Sequence, residues 1–353
     1  MKLFKSLISL IAIIGLLVNL SGCPTVANRE ELKSPQGMVN FTFFDTVSYV
    51  YSYAEDSKET FETNGNGVFE ILGEYHKLFD IYYEYSGATN LCTLNKNAGG
   101  EAMVVDEKLI DFLLYAKELY ETTNGEMNIM MGSVLRVWHD CREQAGADPQ
   151  NARIPTEEEL LEANKHTDIS FLEIDEKNRT VRITDPKASI DVGALGKGYA
   201  TEKAAQVLKS IGAESYVLNI GGNIRIIGHK PDGSGWGTGI KDPADSERYA
   251  MTLTLADISC VTSGDYERFF TVSGKRYHHI IDKDTLMPAT YFSSVSIITP
   301  DSGLADALST ALFAMSYDDG RELVEKIGGV DVLWITKDGE MYYTDGIENL
   351  IRK

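Results

Sequence analysis

The segment DVGALGKGYA, residues 191–200, runs without a break into TEKAAQVLKSIGA. A glycine-rich turn that holds a lysine and opens a helix is a common phosphate cradle, but this one fits neither familiar nucleotide pattern. A P-loop requires G-x-x-x-x-G-K-[ST]; here Asp191 stands at the first glycine position and Gly198 at the hydroxyl position. The dinucleotide fingerprint G-x-G-x-x-G also fails, because the glycines are Gly193, Gly196 and Gly198. The loop therefore serves another ligand chemistry, or is only a tight turn. It opens a helix predicted over 196–210 and is preceded by LEIDEKNRTVRIT, which reads as a hairpin around Lys177-Asn178.

Working outward, periodicity predicts a strand at MVNFTFFDTVSYVYSY, a helix over 68–82, and a second helix over 107–123 that stops at Asn124-Gly125. Thr156 and Glu159 form a capping-box pattern for a short helix reaching Lys165. Beyond the loop the chain is strand-rich: SYVLNIGGNIRIIG, GTGIKDP, MTLTLADISCVTS, RFFTVSGKRYHHIID, SSVSIIT and DVLWITKDGEMYYT. Helices over 303–315 and 318–327 interrupt it. Mixed strands with segregated helices indicate an α+β fold, not a doubly wound sheet. The absence of a Pro/Ser-rich linker or repeat favours one unit of two intimately packed lobes.

The N-terminus reads as an export signal. Lys2 and Lys5 precede an apolar run from Leu7 to Leu20, which is too short for a membrane span and ends in Leu-Ser-Gly-Cys. That ending resembles the bacterial lipobox, which makes residues 1–22 a lipoprotein signal peptide, Cys23 the acylated first residue, and 23–37 a flexible tether ahead of a domain at 38–353. The expected location is the outer side of a bacterial membrane. Removing residues 1–22 takes away two lysines and no acid, so the formal charge moves from −20 to −22. So acidic a surface argues against nucleic acid as a partner. Cys92, Cys141 and Cys260 are too few and too irregularly spaced for a disulfide framework or zinc site.

Five ordered motifs, DVGALGKGYATEKAAQVL, YVLNIGGNIRIIG, TSGDYERFF, YHHIIDKDT and ADALSTALF, together resemble the ApbE-type FAD:protein FMN transferases. LFDIYYEYSGATNLCTLN and GEMNIMMGSVLRVW support the resemblance, which runs from about Phe44 to Lys326. It implies that the opening loop holds flavin and metal instead of a nucleoside triphosphate, with FAD between the lobes.

Asp306 and Thr310 are four apart on a predicted helix, so their oxygens project from one face, at what we expect to be an exposed site. Such a pair suits Mg²⁺, which takes few protein oxygens; the resemblance adds the backbone carbonyl of Ala194 as a third ligand. It also places Asp191 at the flavin, Lys197 near phosphate, and the backbone near Ile280 against FAD. Arg268, with Ser263 in the same segment, is the natural pyrophosphate partner because guanidinium donates in pairs. His279 matches the family's active-site histidine and can take a proton from an attacking hydroxyl. Asp265 is the rival base, and His278 reads as structural or exposed. Glu126, Met127 and Asn128 align with the family's G-A-F-D, and Phe44 with its M-G-T. Tyr82 or Tyr83 is a stacking residue.

The implied reaction is Mg²⁺-dependent transfer of FMN from FAD to a Ser or Thr of an acceptor protein carrying S/T-G-A-S/T-x-S/T, with release of AMP. This chain holds Ser86-Gly87-Ala88-Thr89 itself, but Leu91 occupies the last hydroxyl position, so we read the copy as coincidental. Two other functions stand as alternatives: an FAD pyrophosphatase, which uses the same residues with water as acceptor, and a non-catalytic FAD-binding lipoprotein, against which the Asp306/Thr310 pair counts.

Overall fold

The computed structural model describes residues 35–54 and 56–352. The signal segment and Cys23 lie outside the described residues. Ser34–Lys353 make one compact unit. Its centre is an eight-stranded sheet in which every neighbouring pair is antiparallel and strand order follows chain order. The strands are Gln36–Asn40, Ser48–Ser52, Tyr216–Ile220, Asn223–Ile227, Ser259–Gly264, Phe292–Thr299, Asp331–Thr336 and Met341–Tyr343.

Both faces of the sheet are covered, and residue alternation shows how. Along Asp331–Thr336, Val332 and Trp334 join a cluster with Ala305, Leu308 and Leu312 of the helix Ser302–Phe313. Leu333 and Ile335 point the other way, to Trp236 and Leu253 of the ribbon Trp236–Asp242/Asp245–Leu255. Between the second and third sheet strands the chain departs for residues 53–215. That excursion holds the helices Lys58–Phe79, Glu107–Thr122 and Gly132–Ala147 and a small sheet of Met103–Val104, Thr180–Ile183 and Leu172–Asp175. It returns through the helix Gly196–Ser210. Glu202 of that helix is buried and pins it twice: Arg225 Nε donates to its Oε2 at 3.0 Å, and so does the Ser302 amide, also at 3.0 Å.

The α+β reading holds, with local corrections. The single strand expected over 38–53 is a hairpin, Gln36–Asn40 paired with Ser48–Ser52. Phe44 and Asp45 adopt left-handed φ of 54° and 49°, which turns the chain between the strands. The helix expected from Val68 begins ten residues earlier, at Lys58, where Ser57 accepts the Thr60 amide as an N-cap. Asn-Gly-Asn-Gly at 64–67 reads as a breaker, yet Gly65 lets the helix lie against Met38, whose sulfur would be 2.4 Å from a Cβ. The helix stops at Phe79 instead of Tyr82 because the Asp80 carboxylate takes the amides of Tyr82 and Tyr83. Gly132–Ala147 is a helix for which periodicity gives no expectation.

Candidate active site

The loop at 191–195 is closed by its own side chains and by a neighbouring helix. The Gly193 amide donates to Asp191 Oδ1 at 2.9 Å, and the Gly196 amide to the Val192 carbonyl. The Gly198 amide, one of the first-turn donors that have no partner inside the helix, donates to Asp306 Oδ2 at 2.8 Å. Among the described residues the Ala194 carbonyl, which lies ahead of the helix cap Leu195, accepts no hydrogen bond, although Ala194 is only partly exposed. A Cβ at Gly198 would lie 2.3 Å from the Ser302 carbonyl oxygen and 2.4 Å from Asp306 Cβ. The position that breaks the P-loop pattern is thus where two helices touch.

Asp306 is buried, 4 % exposed, which corrects the expectation of an exposed site. Burial raises its carboxyl above the usual range, opposed by Lys197, whose Nζ is 3.7 Å away, and by the Gly198 amide. Thr310, one turn on, is partly exposed; Ser263 Oγ lies 3.4 Å from its hydroxyl and 2.8 Å from that of Ser309. A buried carboxylate, a neighbouring hydroxyl and a free carbonyl are hard oxygen donors, and they fit Mg²⁺. A second set of ligand-type atoms, on His139, Asp140 and Glu143, lies within 4.8 Å of one another. There Arg136 already holds Asp140 at 2.8 Å, and both carboxylates are exposed.

Arg268 and His279 stand at the two feet of the ribbon Phe269–Val272/Lys275–His278. Arg268 is exposed, has φ of 31°, and makes no salt bridge among the described residues. His279 reaches the surface but is crowded by protein atoms. Desolvation, with the charges of Arg268, His278, Lys197 and Arg142, lowers it to about 3. Asp265 has one oxygen taken by Lys337 Nζ at 2.6 Å. His278 is structural: its Nε2 faces the Ala289 carbonyl at 2.9 Å and its ring meets Phe313 edge-on.

Tyr82 is half-exposed and belongs to the same electrostatic neighbourhood. Its hydroxyl is raised by desolvation and by Asp191, with Arg142, Arg136 and Arg268 opposing. Its ring sits 5.6 Å from that of His139. Asp191 is itself raised by desolvation, opposed by the Gly193 amide, His139, Arg268 and Arg142.

Other predicted contacts are already occupied within the protein. Asn128 donates its amide to the Thr167 carbonyl and accepts from the Met130 amide; Met127 is buried. Glu126 pairs with Lys283 at 3.2 Å, in a cavity of about 410 Å³ lined also by Asp282, Asp284 and Tyr291. The Ile280 amide donates to His278 Nδ1 at 3.3 Å, and its carbonyl accepts from Ala289. Phe44 packs edge-on to His76 beside the core. Sequence reasoning missed Lys337 and Arg142, which lie outside every motif that guided it. The Ser86–Thr89 copy is a turn, closed by the Ala88 amide on the Tyr85 carbonyl.

The model of the ApbE family matches residues 46–334. The chain belongs to that family. It is 34 % identical over 277 residues to the FAD:protein FMN transferase of Treponema pallidum, covering 74 % of this chain and 75 % of the relative. It is 27 % identical over 330 residues to the protein of the same name from Vibrio cholerae, covering 93 % of each. The ApbE protein of Thermotoga maritima superposes with a TM-score of 0.79 at 30 % identity, over 91 % of this chain and all of that one. The ApbE match ends before Lys337, so the Lys337–Asp265 pair joins a residue inside it to one outside.

Proposed function

We propose that this protein transfers FMN from FAD to a Ser or Thr hydroxyl of an acceptor protein and releases AMP, as a lipid-anchored enzyme on the outer side of a bacterial membrane. The observation that carries the reading is the contact of the Gly198 amide with Asp306. It presents a buried Asp306 carboxylate and an uncommitted Ala194 carbonyl, with Thr310 one turn from Asp306. Magnesium held there would neutralise charge on phosphoryl oxygens. Arg268, which makes no salt bridge among the described residues, binds the pyrophosphate with paired donors. Tyr82 lies along the flavin ring, and Asp191 hydrogen-bonds it. The acceptor oxygen forms a bond to the FMN-side phosphorus while the bond to the AMP oxygen breaks.

The proton leaves the acceptor hydroxyl for His279, which is neutral near pH 7 because its pKa lies at about 3. An anionic pyrophosphate opposite Arg268 and Lys197 offsets the charges that depress it, so substrate binding raises its proton affinity. Asp265 is the second candidate, with one oxygen committed to Lys337. Incubation with FAD, Mg²⁺ and a peptide carrying S/T-G-A-S/T-x-S/T, followed by mass spectrometry, tests the proposal. A peptide heavier by FMN, with AMP, is the expected result. Free FMN and AMP alone would make the protein a pyrophosphatase, and unconsumed FAD would leave it a binding protein.

A further inference from the structure

With 53 acidic residues against 33 lysines and arginines, this chain is strongly acidic. The ribbon Phe269–Val272/Lys275–His278 is locally basic against that background. From Glu267 to His279 it carries one acid against Arg268, Lys275 and Arg276. Lys275 and Arg276 are exposed and pair with no acid among the described residues. Each is held over an aromatic ring instead: Arg276 lies 4.5 Å from the centre of Phe269, and Lys275 5.2 Å from that of Tyr277. The register puts Phe270 and Tyr277 on one face, where they meet Trp138. Phe269, Thr271 and Arg276 share the opposite face, all exposed, above the buried His278 at its foot; Lys275 stands at the tip, on the Tyr277 side.

The strand Lys275–His278 leads directly into His279. Arg276 is thus about 10 Å along an extended chain from the proposed base, the reach of three residues on either side of an incoming hydroxyl. The rest of so acidic a surface repels an acidic polypeptide. We propose that the outer face and tip of this ribbon dock the acceptor protein through an acidic stretch flanking the hydroxyl to be modified. The proposal rests on the transferase reading.

The test compares two peptides that share the acceptor motif, one with an aspartate-rich flank and one with a lysine-rich flank, using the full chain and its variant Lys275→Glu with Arg276→Glu. The unmodified protein should label the aspartate-flanked peptide about tenfold faster at low salt, and added salt should shrink that difference. The variant should lose the preference while its FAD affinity stays unchanged, which also reports that it folds. Equal labelling of both peptides by the unmodified protein, or a preference that survives in the variant, overturns the docking surface alone. Labelling of neither overturns the transferase reading and the docking surface with it. If the variant keeps the preference but loses binding to phosphatidylglycerol vesicles, the ribbon faces a membrane and the proposal fails.

Discussion

Asp306 has two partners inside the protein before any ligand arrives, and substitutions there separate its roles. Asp306→Asn keeps an oxygen for the Gly198 amide but removes the charge that attracts a cation, so Mg²⁺-dependent turnover should vanish with little change in melting temperature. Asp306→Ala should also leave that amide unpaired and cost about 1–3 kcal/mol of stability. Normal metal-dependent turnover in Asp306→Asn would remove Asp306 from the ligand set. His279 makes a different prediction. Its folded-state pKa of about 3 lies below the ordinary 6.5, so the unfolded chain binds a proton first as pH falls. The fold should lose stability between pH 6.5 and 3, and His279→Asn should flatten that part of the curve. Urea titrations at several pH values read this slope. The same variant should lower single-turnover transfer at least about tenfold with FAD affinity unchanged; unchanged transfer moves the base to Asp265.

The contact between the helices Gly196–Ser210 and Ser302–Phe313 turns a pattern of residues into a site. Gly198 permits it, since any side chain meets the Ser302 carbonyl and Asp306 Cβ. Gly198→Ala should push the helices apart, cost about 1–3 kcal/mol as an overpacked contact does, and abolish turnover more completely than its stability loss explains. Thermal unfolding beside a turnover assay checks this, and normal turnover by the Gly198→Ala protein would show that the close approach is dispensable. The short turn at Gly221-Gly222 packs in a related way, because a Cβ on Gly221 would strike Thr46 at 2.4 Å.

For the molecule as a whole, the acidic charge and the exposed Arg268 bear on ligand preference. FAD should bind more tightly than FMN or riboflavin, because the contact proposed for Arg268 needs a pyrophosphate that only FAD has whole. Equal affinities by fluorescence titration would sink that assignment. Anchoring is separable from chemistry: Cys23→Ala should move the protein from the membrane to the soluble fraction without altering transfer to a peptide. Retention on the membrane would refute the lipid anchor.

Sequence alone determined the α+β class, the helix opening at Gly196, the capping box at Thr156 and the family, because these rest on local propensity, turn chemistry and ordered motifs. The hairpin hidden in 38–53 escaped it, since apolar residues cover both strands and the turn conformation of Phe44-Asp45 leaves no glycine or proline signature. Only the tertiary structure decided that Asp306 is buried, that Gly198 donates to it across 108 positions of chain, and that Ala194 keeps a free carbonyl. It alone brought Lys337 to Asp265 and left Arg268, Lys275 and Arg276 without a salt bridge among the described residues. Burial, long-range pairing and the absence of a partner are properties of neighbours in space, and a linear chain does not carry them in any local pattern.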